Sequence, residues 1–193
     1  VVLLARDPAG FADLCRATTR AHAVDRAAPH LTAEDLGLLA GSGRVVAVLG
    51  PDAPVGRLLA RGRPDAAAAE LARWRELLGT DGVVLGVRDH RVAPGGRRVH
   101  GRPDPDEPGD DVRIARTLAL AARSGVTAVA VNDVRHERPE DAVVADVLRC
   151  VRLGVPLAAH HVGRTTAAAH LADPATMARR FRERPDLLAA AAD

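Results

Sequence analysis

The sequence predicts a mixed α/β fold with mostly parallel strands and a helical C-terminus. Short β-branched runs alternate with longer stretches of helical periodicity, the strand-like runs are apolar on both faces, and after about Gly154 only helical patterns remain. Strands without a polar face are strands covered by helices, which is the usual setting of a parallel sheet. With 193 residues and an apolar content of 47%, the chain is long enough for one domain with its own core. The expected organisation is a single domain over 1–193, with β/α units to about 154 and a helical extension over 155–193.

Each element has a local cause. The first strand falls on VVLLA, Val1 to Ala5, and the second on VVAVL, Val45 to Leu49. Between them Thr32 and Asp35 have the spacing of a capping box, so a helix starts there. The GSG at Gly41 precedes a strand instead of following one, which is the wrong order for cradling phosphate, and it reads as a turn. Asp65 opens an alanine-rich helix in which Leu71, Trp74, Leu77 and Leu78 form one apolar stripe.

The third strand is VVLGV, Val83 to Val87, and the stretch from Arg91 to Gly109, dense in Gly, Pro and Asp, reads as a flexible excursion. Asp110 and Asp111 lead the helix VRIARTLALAARSG, which Gly125 ends. TAVAV, Thr127 to Val131, is the fourth strand. Pro139 begins a helix to which Val143, Val144, Val147, Leu148 and Val151 give one apolar stripe. Asp173-Pro174 caps a helix carrying Met177 and Phe181, and Pro185 starts a last one with Leu187 and Leu188.

Composition narrows the possible functions. The longest apolar runs fall far short of the roughly 20 residues that a membrane span needs, and no export signal is visible, so no membrane role is expected. Cys15 and Cys150 are too few for a disulfide framework or a zinc cluster, and a cytoplasmic setting is expected. Every basic residue other than histidine is arginine, and the net charge is only +2. Arg97-Arg98 and ARRFRER, Ala178 to Arg184, therefore read as solvated faces. With Phe11, Phe181 and Trp74 the only aromatics, a base-stacking platform is not expected.

No nucleophile elbow, phosphate-binding glycine loop or HExxH is present, and the only serines are Ser42 and Ser124. The adjacent His160 and His161 diverge on either a helix or a strand and do not share a metal. The strand ends remain. Asp89 and His90 follow VVLGVR, and Asp133 and His136 follow TAVAVN, at the rim where a parallel barrel gathers its ligands. Such groups suit zinc, manganese or iron, although a working site needs three or four that converge.

VNDVRHERPEDAVVADVLRCVRLG, together with LLARDPAGFADLCRATTRAH, WRELLGTDGVVLGVRDH and AAHLADPATMARRFRERPD, resembles the polymerase-and-histidinol-phosphatase (PHP) domain of bacterial C-family DNA polymerases, the alpha subunits of polymerase III. The likeness is collinear over nearly the whole chain. LCRATTRAH and AAHLADPATMARRF lean toward the error-prone paralogue. The resemblance implies a partial, distorted (β/α) barrel of PHP type and an open sheet with fewer strands than the family's closed barrel. It implies a parent that is a nucleotidyltransferase acting in DNA replication and repair, whose catalytic carboxylates lie in another domain.

The resemblance also implies a zinc or manganese site, and the chain departs from it. The family's leading HxHS histidines are expected upstream of the LLARD stretch. Pro51 stands at the cysteine of the family's SGC, Gly86 at the glutamate of LELQDH, and Arg135 at the histidine of NDVH, while Asp89, His90 and Asp133 match. Arg135 is a permanent cation without a lone pair and is expected to pair with Asp133 in place of a metal. Asp133, His136, Asp89 and His90 are thus vestigial metal candidates, no cofactor is expected, and the chain alone is expected to be inactive. Its expected partners are the remainder of a polymerase chain and replication or mutasome proteins, with weak, salt-sensitive DNA binding at most. Two alternatives are a stand-alone PHP-type metal-dependent phosphoesterase and a truncated partner-binding module.

Overall fold

Four strands form one sheet in the computed structural model, which describes residues 1–94, 108–158 and 166–192. They are β1 (Val2–Ala5), β2 (Val45–Leu49), β3 (Val83–Val87) and β4 (Ala128–Ala130), adjacent in that order. β2 and β3 run parallel, with Ala47 opposite Val83 and Leu49 opposite Leu85. β1 runs antiparallel to β2, from Val2 opposite Val48 to Ala5 opposite Val45. Leu85 N–H donates to Thr127 O at 2.9 Å and Val131 N–H to Val87 O at 2.8 Å, the slanted two-residue step of a parallel pair. The sheet is open and mostly parallel, and its edge strand β1 leaves Val2 and Leu4 about half exposed.

The chain divides into two units, Val1–Gly86 with Ala119–Ala128, and Val87–Leu118 with Val129–Asp193. The first holds helices α1 (Pro8–Val24), α2 (Ala33–Gly41), α3 (Pro54–Ala60) and α4 (Pro64–Leu78). Its core is built on the inward side chains of β2 and β3, with Leu49 and Leu85 packed among Val55, Leu59 and Leu71. The capping box is present: Asp35 N–H donates to Thr32 Oγ1 at 3.2 Å, and Thr32 N–H to Asp35 Oδ2 at 3.0 Å. α4 starts at Pro64, one residue ahead of Asp65, because proline at the first helical position has no N–H to leave unbonded. Its stripe faces inward, with Leu71 and Leu78 buried and Trp74 and Leu77 partly buried.

Two glycines of this unit mark close approaches. A Cβ on Gly10 would lie 2.5 Å from the carbonyl oxygen of Arg44, and one on Gly56 would lie 2.5 Å from that of Pro51. These contacts let α1 and α3 approach the backbone that they cover.

The second unit contains α6 (Ala142–Leu153), α7 (Pro174–Arg180) and α8 (Pro185–Ala192), while α5 (Asp110–Ser124) contributes to both units. Asp173 caps α7 by accepting from Thr176 N–H at 2.6 Å, and Phe181 and Leu187 are buried. A 3-10 turn at Pro139–Asp141 precedes α6, and Gly154, left-handed at φ 64°, closes it.

α6 carries its apolar stripe outward. Val143, Val144, Val147, Leu148 and Val151 do not face the core; they are 40–73% exposed, and the buried side of the helix carries Ala142, Asp146 and Cys150. Periodicity locates an apolar stripe but does not say what covers it. β4 is also shorter than TAVAV, spanning Ala128–Ala130. Arg97-Arg98, His160-His161 and most of the Arg91–Gly109 stretch lie outside the described residues.

Candidate functional site

The ends of β3 and β4 carry the charged residues singled out in the sequence, all within the second unit. β3 runs directly into Arg88, Asp89 and His90, and β4 is followed by Val131, Asn132 and Asp133. The bond from Val131 N–H to Val87 O holds the two strand ends together.

Asp133 adopts φ 50°, a left-handed conformation that aspartate tolerates better than most residues. Its Oδ2 accepts from Arg88 Nη1 at 2.6 Å, and its Oδ1 pairs with Arg135 Nη2 at 2.8 Å. The Arg88 side chain is 2% exposed, Asp133 26% and Arg135 46%, so the carboxylate bridges a buried cation and a surface one. Both carboxylate oxygens are therefore engaged by positive charge. The pairing of Arg135 with Asp133 is the one anticipated; the contribution of Arg88 is not legible as a motif. Its signal is a charged residue continuing the apolar run VVLGV, where the strand's burial persists.

His90 is buried and tied at three points. Its N–H donates to Asp110 Oδ2 at 2.8 Å, its Nε2 lies 2.7 Å from Asn132 O, and its Nδ1 lies 3.4 Å from Thr166 Oγ1. A carbonyl only accepts, so Nε2 carries the proton and Nδ1 is left to accept from the hydroxyl. Burial pushes the imidazole below its ordinary value of 6.5, outweighing the bond to Asn132 O and the charge of Asp110, which act the other way. The folded chain then binds fewer protons than the unfolded one below pH 6.5, so His90's contribution to stability is complete above that value. It is lost as the pH falls toward the lowered folded value. Urea midpoints are expected to fall on acidification from about pH 7 to about pH 5, and less steeply in His90→Gln. Equal slopes in the two proteins would refute the assignment.

Asp89 and His136 are directed elsewhere. Asp89 Oδ2 pairs with Arg91 Nε at 3.1 Å and its Oδ1 accepts from Arg91 N–H at 2.9 Å. Arg91 Nη2 in turn donates to Arg180 O at 3.0 Å. His136 Nδ1 lies 2.7 Å from Arg138 O, and its Nε2 lies 3.1 Å from Thr166 O. A parallel bridge pairs His136 with His170, so the residue ties the 132–138 stretch to the segment around Thr166–Leu171. Asn132 donates through Nδ2 to His170 O at 2.6 Å and accepts from Arg180.

Among the described residues, the candidate ligands at the rim face partners other than one another. Asp133 lies between two guanidinium groups, His90 Nε2 donates to a carbonyl, and each ring nitrogen of His136 lies near a carbonyl, to only one of which the neutral ring can donate. Among the described residues no three His, Cys, Asp or Glu side chains converge in a way that could hold an ion. Pro51 and Gly86 bring no ligating side chain. Arg88, Asn132, Asp110, Thr166 and Arg180, none of them a site candidate from the sequence, complete the network; Arg180, expected on a solvated face, is half-buried and donates to Asn132.

The fold and the rim define an α/β segment whose strand ends are closed by a network of ion pairs and hydrogen bonds. No family model matches the chain. The chain is 32% identical over 202 residues to the error-prone DNA polymerase of Anaeromyxobacter sp. (strain K), a match covering 100% of this chain and 15% of that protein. The error-prone DNA polymerase of Brucella abortus biovar 1 (strain 9-941) is 31% identical over 196 residues, covering 100% of this chain and 16% of its own. That of Mesorhizobium japonicum is 40% identical over 83 residues, 42% of this chain. The chain is thus related in sequence to error-prone DNA polymerases and spans about 15% of the length of the first of these relatives. Among the described residues no helix is long and apolar enough to cross a membrane.

Proposed function

We propose that the chain is a structural PHP-type segment of an error-prone, polymerase III alpha-type DNA polymerase, a partial and distorted (β/α) barrel whose metal site has degenerated into an ion-paired rim. One observation carries this reading: Asp133, at the position of a family ligand, is held between Arg88 and Arg135. Two guanidinium groups supply the positive charge that a divalent ion would otherwise bring, and they repel any ion entering beside them. The collinear likeness to error-prone DNA polymerases supports the parent assignment. In this role the segment serves as scaffold, the polymerase chemistry belongs to other parts of the parent, and DNA contacts are weak and salt-sensitive.

The test is calorimetry with zinc and with manganese, beside an assay for release of phosphate or nucleotides. Neither tight metal binding nor hydrolysis is expected from the chain. Arg135→His is expected to raise metal affinity only slightly, because affinity needs several deprotonated donors in one geometry. Stoichiometric sub-micromolar binding, with hydrolysis that a chelator abolishes and Asp133→Ala removes, would replace this reading with a metal-dependent phosphoesterase.

A further inference from the structure

We propose that Arg91 and Arg180 form an oxyanion-binding clamp beside the rim, open to a single phosphate group. Arg180 Nη1 donates to Asn132 Oδ1, an oxygen whose direction is fixed because Asn132 Nδ2 donates to His170 O at 2.6 Å. Among the described residues no carboxylate pairs with Arg180, and no hydrogen bond meets its Nε–Nη2 edge. That edge is the side of a guanidinium that grips a phosphate through two parallel N–H bonds. The side chain is half-buried, and burial pushes the guanidinium below its ordinary value, with Asp89 opposing the shift and Arg91 adding to it. Asp89 acts from a distance, since its own oxygens are held by Arg91.

The backbone holds the second arm in place. Arg91 adopts φ 57°, a left-handed conformation uncommon for any residue but glycine, asparagine or aspartate. Such strain persists only where the surroundings fix it, and it gathers at ligand clamps. Here Asp89 accepts from Arg91 N–H at 2.9 Å and pairs with Arg91 Nε at 3.1 Å, while Arg91 Nη2 donates to Arg179 O at 3.2 Å and to Arg180 O at 3.0 Å. The Arg91 guanidinium is thereby anchored on the backbone of Arg180. Asp89 balances one of the two cations, and one positive charge is left over. A phosphate group brings the missing counter-charge, and it has oxygens enough to accept from the Arg180 edge and from Arg91 together. The clamp does not include the Asp133 pair, so it stands whether or not that pair is what remains of a metal site.

Calorimetric titration of the 193-residue chain with inorganic phosphate, at constant ionic strength and with a chelator present, reads the site directly. Saturable one-to-one binding in the millimolar range is expected. Arg180→Gln is expected to weaken it about tenfold or more, and Arg180→Lys less, because lysine keeps the charge but not the fork. Asp89→Asn, which leaves both guanidinium groups unbalanced, is expected to tighten it; a merely structural role would give no such gain, and the variant remains a test if Arg180→Gln fails to fold. A short oligothymidylate without terminal phosphates separates the two sources of the group. Competition with inorganic phosphate makes a nucleic-acid phosphodiester the ligand, and failure to compete makes it free phosphate or a monoester. No binding, or binding unchanged in Arg180→Gln, overturns the proposal. Binding that the chelator abolishes overturns it too, because the phosphate would then sit on a metal ion.

Discussion

Replacing Asp133 by asparagine is expected to destabilise the chain by about 3 kcal/mol, the lower end of the range for breaking a buried ion pair. The cost comes from the partner left behind. Arg88 is 2% exposed, and without the carboxylate its charge remains in a poorly hydrated place. Asparagine is the informative substitute because it tolerates the left-handed backbone at position 133 as aspartate does, so the change reports the charge alone. The carboxylate is 26% open to solvent, which keeps the effect below the upper end of that range. Arg135→Ala is expected to cost less than about 1 kcal/mol, because that arm of the pair is exposed. Combining Asp133→Asn with Arg88→Met should recover much of the loss, since neither charge is then stranded. Urea midpoints at constant m-value measure all of these. Strict additivity of the two changes, or a loss in Asp133→Asn no larger than that in Arg135→Ala, would refute the coupling.

Leu85→Ala is expected to cost about 2–5 kcal/mol, whereas Leu148→Ala in dilute solution should stay within about 0.5 kcal/mol. Leu85 is 1% exposed at the centre of β3, packed among the side chains of β2, α3 and α4, and its truncation leaves a cavity that surrounding strands cannot collapse. Leu148 is 64% exposed on α6 and already faces water. Because a domain is stable by only about 5–15 kcal/mol, the first change threatens folding and the second does not. Thermal or urea melts of the two variants give the comparison. Equal losses would mean that the α6 stripe is buried after all.

The contrast between these two leucines shows what a sequence carries. Strand positions β2 and β3 are legible because VVAVL and VVLGV are short, rich in valine and apolar on both faces, as strands covered on both sides are. The start of α2 is legible because a capping box is a local device: Thr32 and Asp35 satisfy each other without help from distant residues. The burial of α6 is not legible, because periodicity is symmetric between a stripe packed on the core and one turned outward. The same holds at the rim. Asp89, His90, Asp133 and His136 can be located at strand ends, but Arg88 reaches Asp133 across 45 positions, and nothing local to either residue records that contact. His136 follows Arg135 directly yet bonds to the carbonyls of Arg138 and Thr166, a direction fixed by the bridge to His170.

The left-handed backbone at Asp133 narrows what mutation can do there. Glycine or asparagine would suit the φ of 50°, but neither would neutralise Arg88; glutamate would keep the charge but favour a different backbone. Of the twenty side chains, aspartate best meets both demands. Under the proposed reading of a degenerate metal site, position 133 is pinned by its own backbone geometry and by the cation that follows β3. An acidic residue at that position answers to backbone shape and charge balance together.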